Sequence, residues 1–203
     1  MVKANLLTYF KDTIRSMLKL FAKYACKIGF TPNMITVIGL TVAVASAMCY
    51  AFRVNIFLAS GLYFLSAFFD VLDGTIASSF NRATVFGAFL DSLLDRYSDT
   101  VIILGIIFGG FCDPRLGMIA LVGSLLVSYA RARGEALNIT LVSVGLAERA
   151  ERILIIIIAS LLTPVYDGAL SIGMVLLAII SHITVLQRAH HVWKHVNSTD
   201  KVI

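Results

Sequence analysis

Four carboxylates stand where carboxylates are least expected. Asp70 and Asp73 follow the stretch FLSAFF, and Asp91 and Asp95 come shortly before VIILGIIF. Asp70 and Asp73 are spaced i, i+3 and share one helix face, while Gly87, Asp91 and Asp95 fall at i, i+4, i+8 along one stripe of another helix. If these faces meet, four acids converge on one point. Ionised and unpaired in a low dielectric they would cost many kcal/mol, so the group must shift its protonation or hold cations. An oxygen-only ligand set suits Mg²⁺, Mn²⁺ or Ca²⁺ rather than zinc, which prefers nitrogen and sulfur. Gly74 and Gly87 leave bare backbone beside the acids, where something bulky can approach. Hard cations held by carboxylates next to open space fit phosphate chemistry, in which a diphosphate is neutralised and the attacking and leaving oxygens are oriented.

The pattern Asp70-x2-Asp73-Gly74-x2-Ala77 followed by Gly87-x3-Asp91-x3-Asp95 resembles the signature of the CDP-alcohol phosphotransferase family, membrane enzymes of phospholipid synthesis. The resemblance implies that a phosphatidyl-type group moves from a CDP-linked lipid to the hydroxyl of an alcohol, releasing CMP. It also implies two Mg²⁺ or Mn²⁺ ions held by Asp70, Asp73, Asp91 and Asp95, with Asp95 as general base, and a homodimer. One position departs from the family pattern: Ser78 stands where the family usually has Arg after the alanine. The departure bears on how the nucleotide phosphate is held, and Arg82 would reach back to the same place if the helix continued through it.

Thr31-Pro32 before an apolar run is a helix start, with Thr31 as cap and Pro32 at the first helical position. The segment TPNxxT also resembles the family's nucleotide-contacting segment. On that resemblance Asn33, Thr36, Asp70, Gly74, Ser78 and Thr84 are the expected residues for the nucleotide and CDP-lipid. The segments Tyr129-x-Arg131-Ala132-Arg133-Gly134-Glu135 and Glu148-Arg149-Ala150-Glu151-Arg152 are similar to those of archaeal and mycobacterial members that take inositol phosphate as acceptor. Arg131, Arg133, Arg149, Arg152 and Arg188 are then the expected holders of the acceptor phosphate. Glycerol 3-phosphate or another alcohol would use the same kind of arginine pocket. The topological alternative is that these arginines only anchor helix ends and pair with Glu135, Glu148 and Glu151.

The elements that must position these groups follow from composition. The chain has 203 residues, 59% hydrophobic and 14% charged, which is outside soluble norms and makes the bilayer its solvent. The expected fold is an all-α integral membrane protein forming a single domain over 1–203. It has an N-terminal amphipathic interfacial helix in 1–30, a bundle of six transmembrane helices over 34–190 and a cytoplasmic tail over 191–203. The six apolar segments run approximately Met34–Phe52, Ile56–Ala77, Thr84–Phe111, Leu116–Gly134, Arg149–Pro164 and Ala169–Arg188. In residues 1–28, Leu6, Leu7, Phe10, Ile14, Met17, Leu18 and Phe21 make an apolar stripe beside Lys11, Arg15, Lys19, Lys23 and Lys27.

With six spans, 14 of the 17 Lys and Arg, from Lys3 to Lys201, fall on the side of the termini, only Arg53 and Arg115 fall opposite, and Arg96 lies within a span. Both termini are therefore expected in the cytoplasm of a multi-pass protein of the cell membrane. With a rise of ~1.5 Å per residue, Asp70 and Asp91 lie about 10 Å, and Asp95 roughly 16 Å, from the cytoplasmic ends of their spans. The site would thus face the cytosol just under the headgroups. The net charge of +5 points to anionic lipid and phosphate partners, not nucleic acid, because the basic residues follow the membrane faces.

Asp99 continues the acidic stripe by one turn and reads as a packing acid beside the site. Gly105 and Gly109 form a GxxxG that marks close helix packing. Cys26, Cys49 and Cys112 read as small apolar residues with no disulfide and no zinc site, and the histidines at 190, 191 and 195 as a solvated helix end. The N-terminus offers no cleavable signal peptide. A carboxylate-based cation transporter also places acids in spans, but it explains neither the two glycines nor the basic cluster, and no repeated halves with broken helices are found. A purely structural membrane protein would not need the acids.

Overall fold

The computed structural model describes residues 6–142 and 144–199, with side chains placed for 17–142 and 144–197. Lys3, Lys201 and the extreme ends of the 1–30 and 191–203 segments lie outside the described residues. The side chains of Leu6, Leu7, Phe10, Lys11, Ile14 and Arg15 lie outside the described side chains. The described chain is all helix and loop: α1 Leu6–Ile28, α2 Pro32–Ala51, α3 Ile56–Ser79, α4 Val85–Phe108, α5 Pro114–Ala136, α6 Arg149–Leu162 and α7 Ala169–Thr199. It divides into two compact units, one drawn from residues 1–42 and 65–95, the other from 43–64 and 96–203.

In the first unit the turns are set by local chemistry. Gly29, with φ +98°, closes α1. Its N–H reaches Cys26 O at 3.2 Å and the Phe30 N–H reaches Ala25 O at 3.0 Å, the paired bonds of a Schellman end that needs a left-handed residue. Thr31 Oγ1 then accepts from the Met34 N–H at 3.3 Å, and Pro32 opens α2 as expected. α1 docks through Ala22, Ala25 and Cys26 against Ile35, Leu72 and Ile76, so its contact edge is made of small residues. The large apolar residues Met17, Leu20, Phe21 and Tyr24 stay half-exposed. Within this unit α2 and α3 approach closely at Gly39, whose carbonyl accepts from Ser66 Oγ at 2.8 Å.

In the second unit the GxxxG of α4 is a packing device, since a Cβ on Gly105 or Gly109 would run into the backbone of Ala47 or Tyr50. Tyr50 OH pairs with Ser160 Oγ at 2.7 Å. α7 packs on α5 and α6. The α5–α6 loop is fastened to α7: Thr184 Oγ1 accepts from the Ala147 N–H at 3.1 Å, and Gln187 Oε1 from the Leu146 N–H at 3.1 Å. The free Cys112 is buried, and burial pushes its thiol up, away from reactivity. α7 runs on to Thr199, so the histidines at 190, 191 and 195 sit on an exposed continuation of the last helix.

Among the described residues, four helices are long and apolar enough to cross a membrane: Pro32–Ala51, Ile56–Ser79, Pro114–Ala136 and the Ala169–Asn197 part of α7. α4 has 24 residues but carries Asp91, Asp95, Arg96 and Asp99 along its length. α6 has only 14 residues, about 21 Å of helix at 1.5 Å per residue against a hydrocarbon core of about 30 Å. These two are the segments on which the six-span expectation goes beyond length and composition.

Candidate active site

The acids are brought together within the first unit, from the second half of α3 and the first half of α4. One carboxylate oxygen each from Asp70, Asp91 and Asp95 lie within 4.8 Å of one another, all three half-buried. Among the described residues this is the one grouping of acids, histidines or cysteines close enough to share an ion. Asp73 stands apart from it: it is 2% exposed, and its Oδ2 is buried with no hydrogen-bond partner among the described residues. A buried carboxylate oxygen without a donor is costly unless a cation supplies the missing interaction. The donor set, all oxygen and anionic, fits Mg²⁺ or Mn²⁺.

Beside the acids lies a cavity of ≈ 160 Å³ whose lining includes Asn33, Thr36, Asp73, Gly74, Arg82 and Asp91. Asn33 and Thr36 enter it from the first turns of α2, because Thr31 and Pro32 fix where that helix starts. Thr84 also lines the cavity, and its hydroxyl caps α4 by accepting from the Gly87 N–H at 2.9 Å. The two glycines work differently from one another. Nothing lies within 4 Å of a Cβ built on Gly74, so there the bare backbone does face open space. A Cβ on Gly87 would meet Asn33 Oδ1 and Thr84 Oγ1 at 2.8 Å each, so Gly87 is needed for close approach of α4 to these side chains.

Ser78 is exposed, donates to Gly74 O at 2.8 Å and does not line the cavity. The helix does not continue to Arg82. Asn81, at φ +52°, ends α3, with the Arg82 N–H on Ala77 O at 3.1 Å, and the reversal itself delivers Arg82 to the cavity wall. Its Nη1 donates to Phe30 O at 3.1 Å. The Asn81-Arg82 pair after a helix is the signal that would have placed it there.

The expected acceptor arginines belong to the second unit, where they are placed very differently. Arg131 pairs with Glu135 at 2.9 Å one turn on, with its side chain 43% exposed. Arg133, in the last turn of α5, is exposed. Arg152 and Arg149, from the first turn of α6, bond Asp99 Oδ2 at 2.9 Å and Oδ1 at 3.4 Å. Arg188 is 2% exposed and donates to Val144 O at 2.9 Å and Val127 O at 2.6 Å.

Alanine at Gly74 keeps the helix, and replacing an interior glycine stabilises it by about 0.5–1 kcal/mol, but it fills space that a ligand backbone or phosphate would use. Gly74→Ala is therefore expected to leave the melting temperature unchanged or higher while weakening CDP-lipid binding. Gly87→Ala should displace Asn33 and weaken the Thr84 cap, so that both melting temperature and binding fall. Thermal unfolding and ligand binding on the two purified variants separate the cases.

Among the described residues, an all-helical chain with several membrane-length helices, an acid cluster and an adjoining cavity fits a metal-using membrane enzyme of phosphate esters. The profile of the CDP-alcohol phosphatidyltransferases matches residues 30–186, and the chain belongs to that family. It is 37% identical over 189 residues to the archaetidylinositol phosphate synthase of Pyrococcus horikoshii, covering 93% of this chain and 97% of the relative. It is 39% identical over 194 residues to the enzyme of the same name from Methanothermobacter thermautotrophicus, covering 95% and 97%. The crystal structure of Mycobacterium tuberculosis phosphatidylinositol phosphate synthase with CDP-DAG bound superposes with a TM-score of 0.76 at 32% identity, covering 88% of this chain and 94% of that one. A second crystal structure of that enzyme, in complex with manganese and citrate, gives 0.78 at 34% identity, covering 87% and 88%. Membership makes the chain a membrane transferase and sets aside the cation-transporter reading.

Proposed function

We propose that this protein transfers the lipid phosphoryl group of a CDP-linked lipid to a hydroxyl of inositol phosphate, releasing CMP. The observation that carries the reading is the convergence of Asp70, Asp91 and Asp95 within 4.8 Å, with Asp73 and Asp91 facing the adjoining cavity. The names of the relatives at 37–39% identity support the same acceptor, and the CDP-DAG bound to the solved structure at 32% identity supports the same donor.

Asn33, Thr36, Gly74 and Thr84 form the nucleotide side of the site, with Arg82 in the place left by Ser78. Asp70, Asp91 and Asp95, with Asp73 beside them, would hold the ions, whose positive charge would neutralise the diphosphate. Asp95 accepts the proton of the acceptor hydroxyl as that oxygen bonds to the lipid-side phosphorus. The anhydride bond then breaks, and CMP leaves with the electron pair. Arg131, Arg133, Arg149, Arg152 and Arg188 are the candidates for holding the acceptor's phosphate. Arg188, fully buried on two carbonyls, would do so only after exchanging one of them.

The reading includes six spans, α4 and α6 among them, with both termini and the site on the cytosolic side. α1 lies in the interface with its exposed apolar residues in lipid. It also includes assembly as a homodimer. The test is CMP release from a CDP-linked lipid by the purified protein, with inositol phosphate, glycerol 3-phosphate, serine and free inositol as competing acceptors. Inositol phosphate is expected to be used best. Equal use of free inositol would remove the acceptor assignment, and a preference for glycerol 3-phosphate would reassign it.

A further inference from the structure

Asp99 lies four residues beyond Asp95 in α4, is only 6% exposed, and is outside the cation-holding group. Each of its oxygens takes a different guanidinium, Oδ2 from Arg152 Nη2 at 2.9 Å and Oδ1 from Arg149 Nε at 3.4 Å. The two arginines are spaced i, i+3 at the opening of α6, so one carboxylate ties both to a fixed place. Arg152 is 3% exposed, and its Nε has no hydrogen-bond partner among the described residues. A buried guanidinium that gives one N–H to a carboxylate and leaves another unmet is prepared for an additional anionic oxygen. The N-terminus of α6, where the Glu148 side chain makes no capping bond, adds the positive end of a helix dipole to the same place.

We infer that Asp99 is a positioning residue for the acceptor: it fixes Arg149 and Arg152 for a phosphomonoester. This rests on the phosphorylated-acceptor reading above. Were Asp99 only a counter-charge, its loss would raise the local positive potential and tighten phosphate binding. If it positions, its loss frees two long side chains and weakens binding. The two roles therefore predict opposite signs.

The test uses the full-length protein in lipid vesicles with saturating CDP-linked lipid, following CMP release against inositol phosphate. Asp99→Asn is expected to raise the acceptor KM by about 10- to 100-fold, the cost of misplacing a binding group by about an ångström. The KM for the CDP-linked lipid should stay within about twofold of wild type, a margin well below one tenfold step of affinity. Inorganic phosphate should become a weaker inhibitor in step with the acceptor KM. Asp99→Glu, which keeps the charge and changes the reach, should shift acceptor KM in the same direction by less. It also serves where Asp99→Asn fails to fold. An unchanged or lower acceptor KM in the variant that folds would overturn the inference while leaving the acceptor assignment intact. Wild-type use of free inositol as readily as inositol phosphate would overturn both.

Discussion

Asp95→Asn should abolish turnover while CDP-lipid binding survives. The substitution keeps size and shape but removes the proton acceptor, and a positioned general base is worth about 10²–10⁴-fold in rate. Asp95 also contributes an oxygen to the group within 4.8 Å, so some loss of metal affinity accompanies the loss of rate. The two effects separate on titration with Mn²⁺: saturating metal should restore binding of the CDP-linked lipid but not the release of CMP. Turnover within a few-fold of wild type would remove Asp95 from the base role. Recovery of full turnover at high Mn²⁺ would leave it as a ligand alone.

Asp73→Asn should act in opposite directions on stability and activity. Asp73 is nearly fully buried, and its Oδ2 has no partner within the described chain. A buried polar group without a partner costs about 1–3 kcal/mol, more when charged. Removing the charge should therefore raise the stability of the metal-free protein by an amount of that order. The same change removes a contact to the diphosphate-neutralising charge, worth several kcal/mol, so turnover should fall by about 10³-fold. In wild type, adding Mn²⁺ should close the stability gap; in the variant it should do so much less. Thermal unfolding with and without Mn²⁺, alongside CMP release, checks both signs. A variant less stable than wild type without metal would show that Asp73 serves packing, not ion binding.

Much of this was legible because the chemistry is carried by short spacings on helices. The i+4 interval put Asp91 and Asp95 on one face, which meets Asp70, and Thr31-Pro32 fixed the start of α2; Asp73, expected at the same point from its i, i+3 spacing, stands outside the group of three. What was not legible lay in turns and in pairings distant in sequence. Arg82 reaches the cavity through the left-handed turn at Asn81, not through a longer helix. Ser78, placed at the nucleotide by analogy, spends its hydroxyl on its own helix. Of the two glycines beside the acids, Gly87 serves close approach to Asn33 and Thr84, and Gly74 leaves open space. The docking edge of α1 is Ala22, Ala25 and Cys26, because small residues allow close packing and leave the large apolar side chains outside. The pairing of Asp99 with Arg149 and Arg152 joins positions some fifty residues apart, which no local spacing announces.

Mn²⁺ binding to the chelator-stripped, purified protein, followed by electron paramagnetic resonance, tests most directly whether the α3 and α4 acids form a divalent-cation centre. Wild type should bind the ion stoichiometrically, and the paired substitution Asp70→Asn with Asp91→Asn should lose that binding while the protein stays folded. Equal Mn²⁺ binding by the folded double variant and wild type would contradict the account.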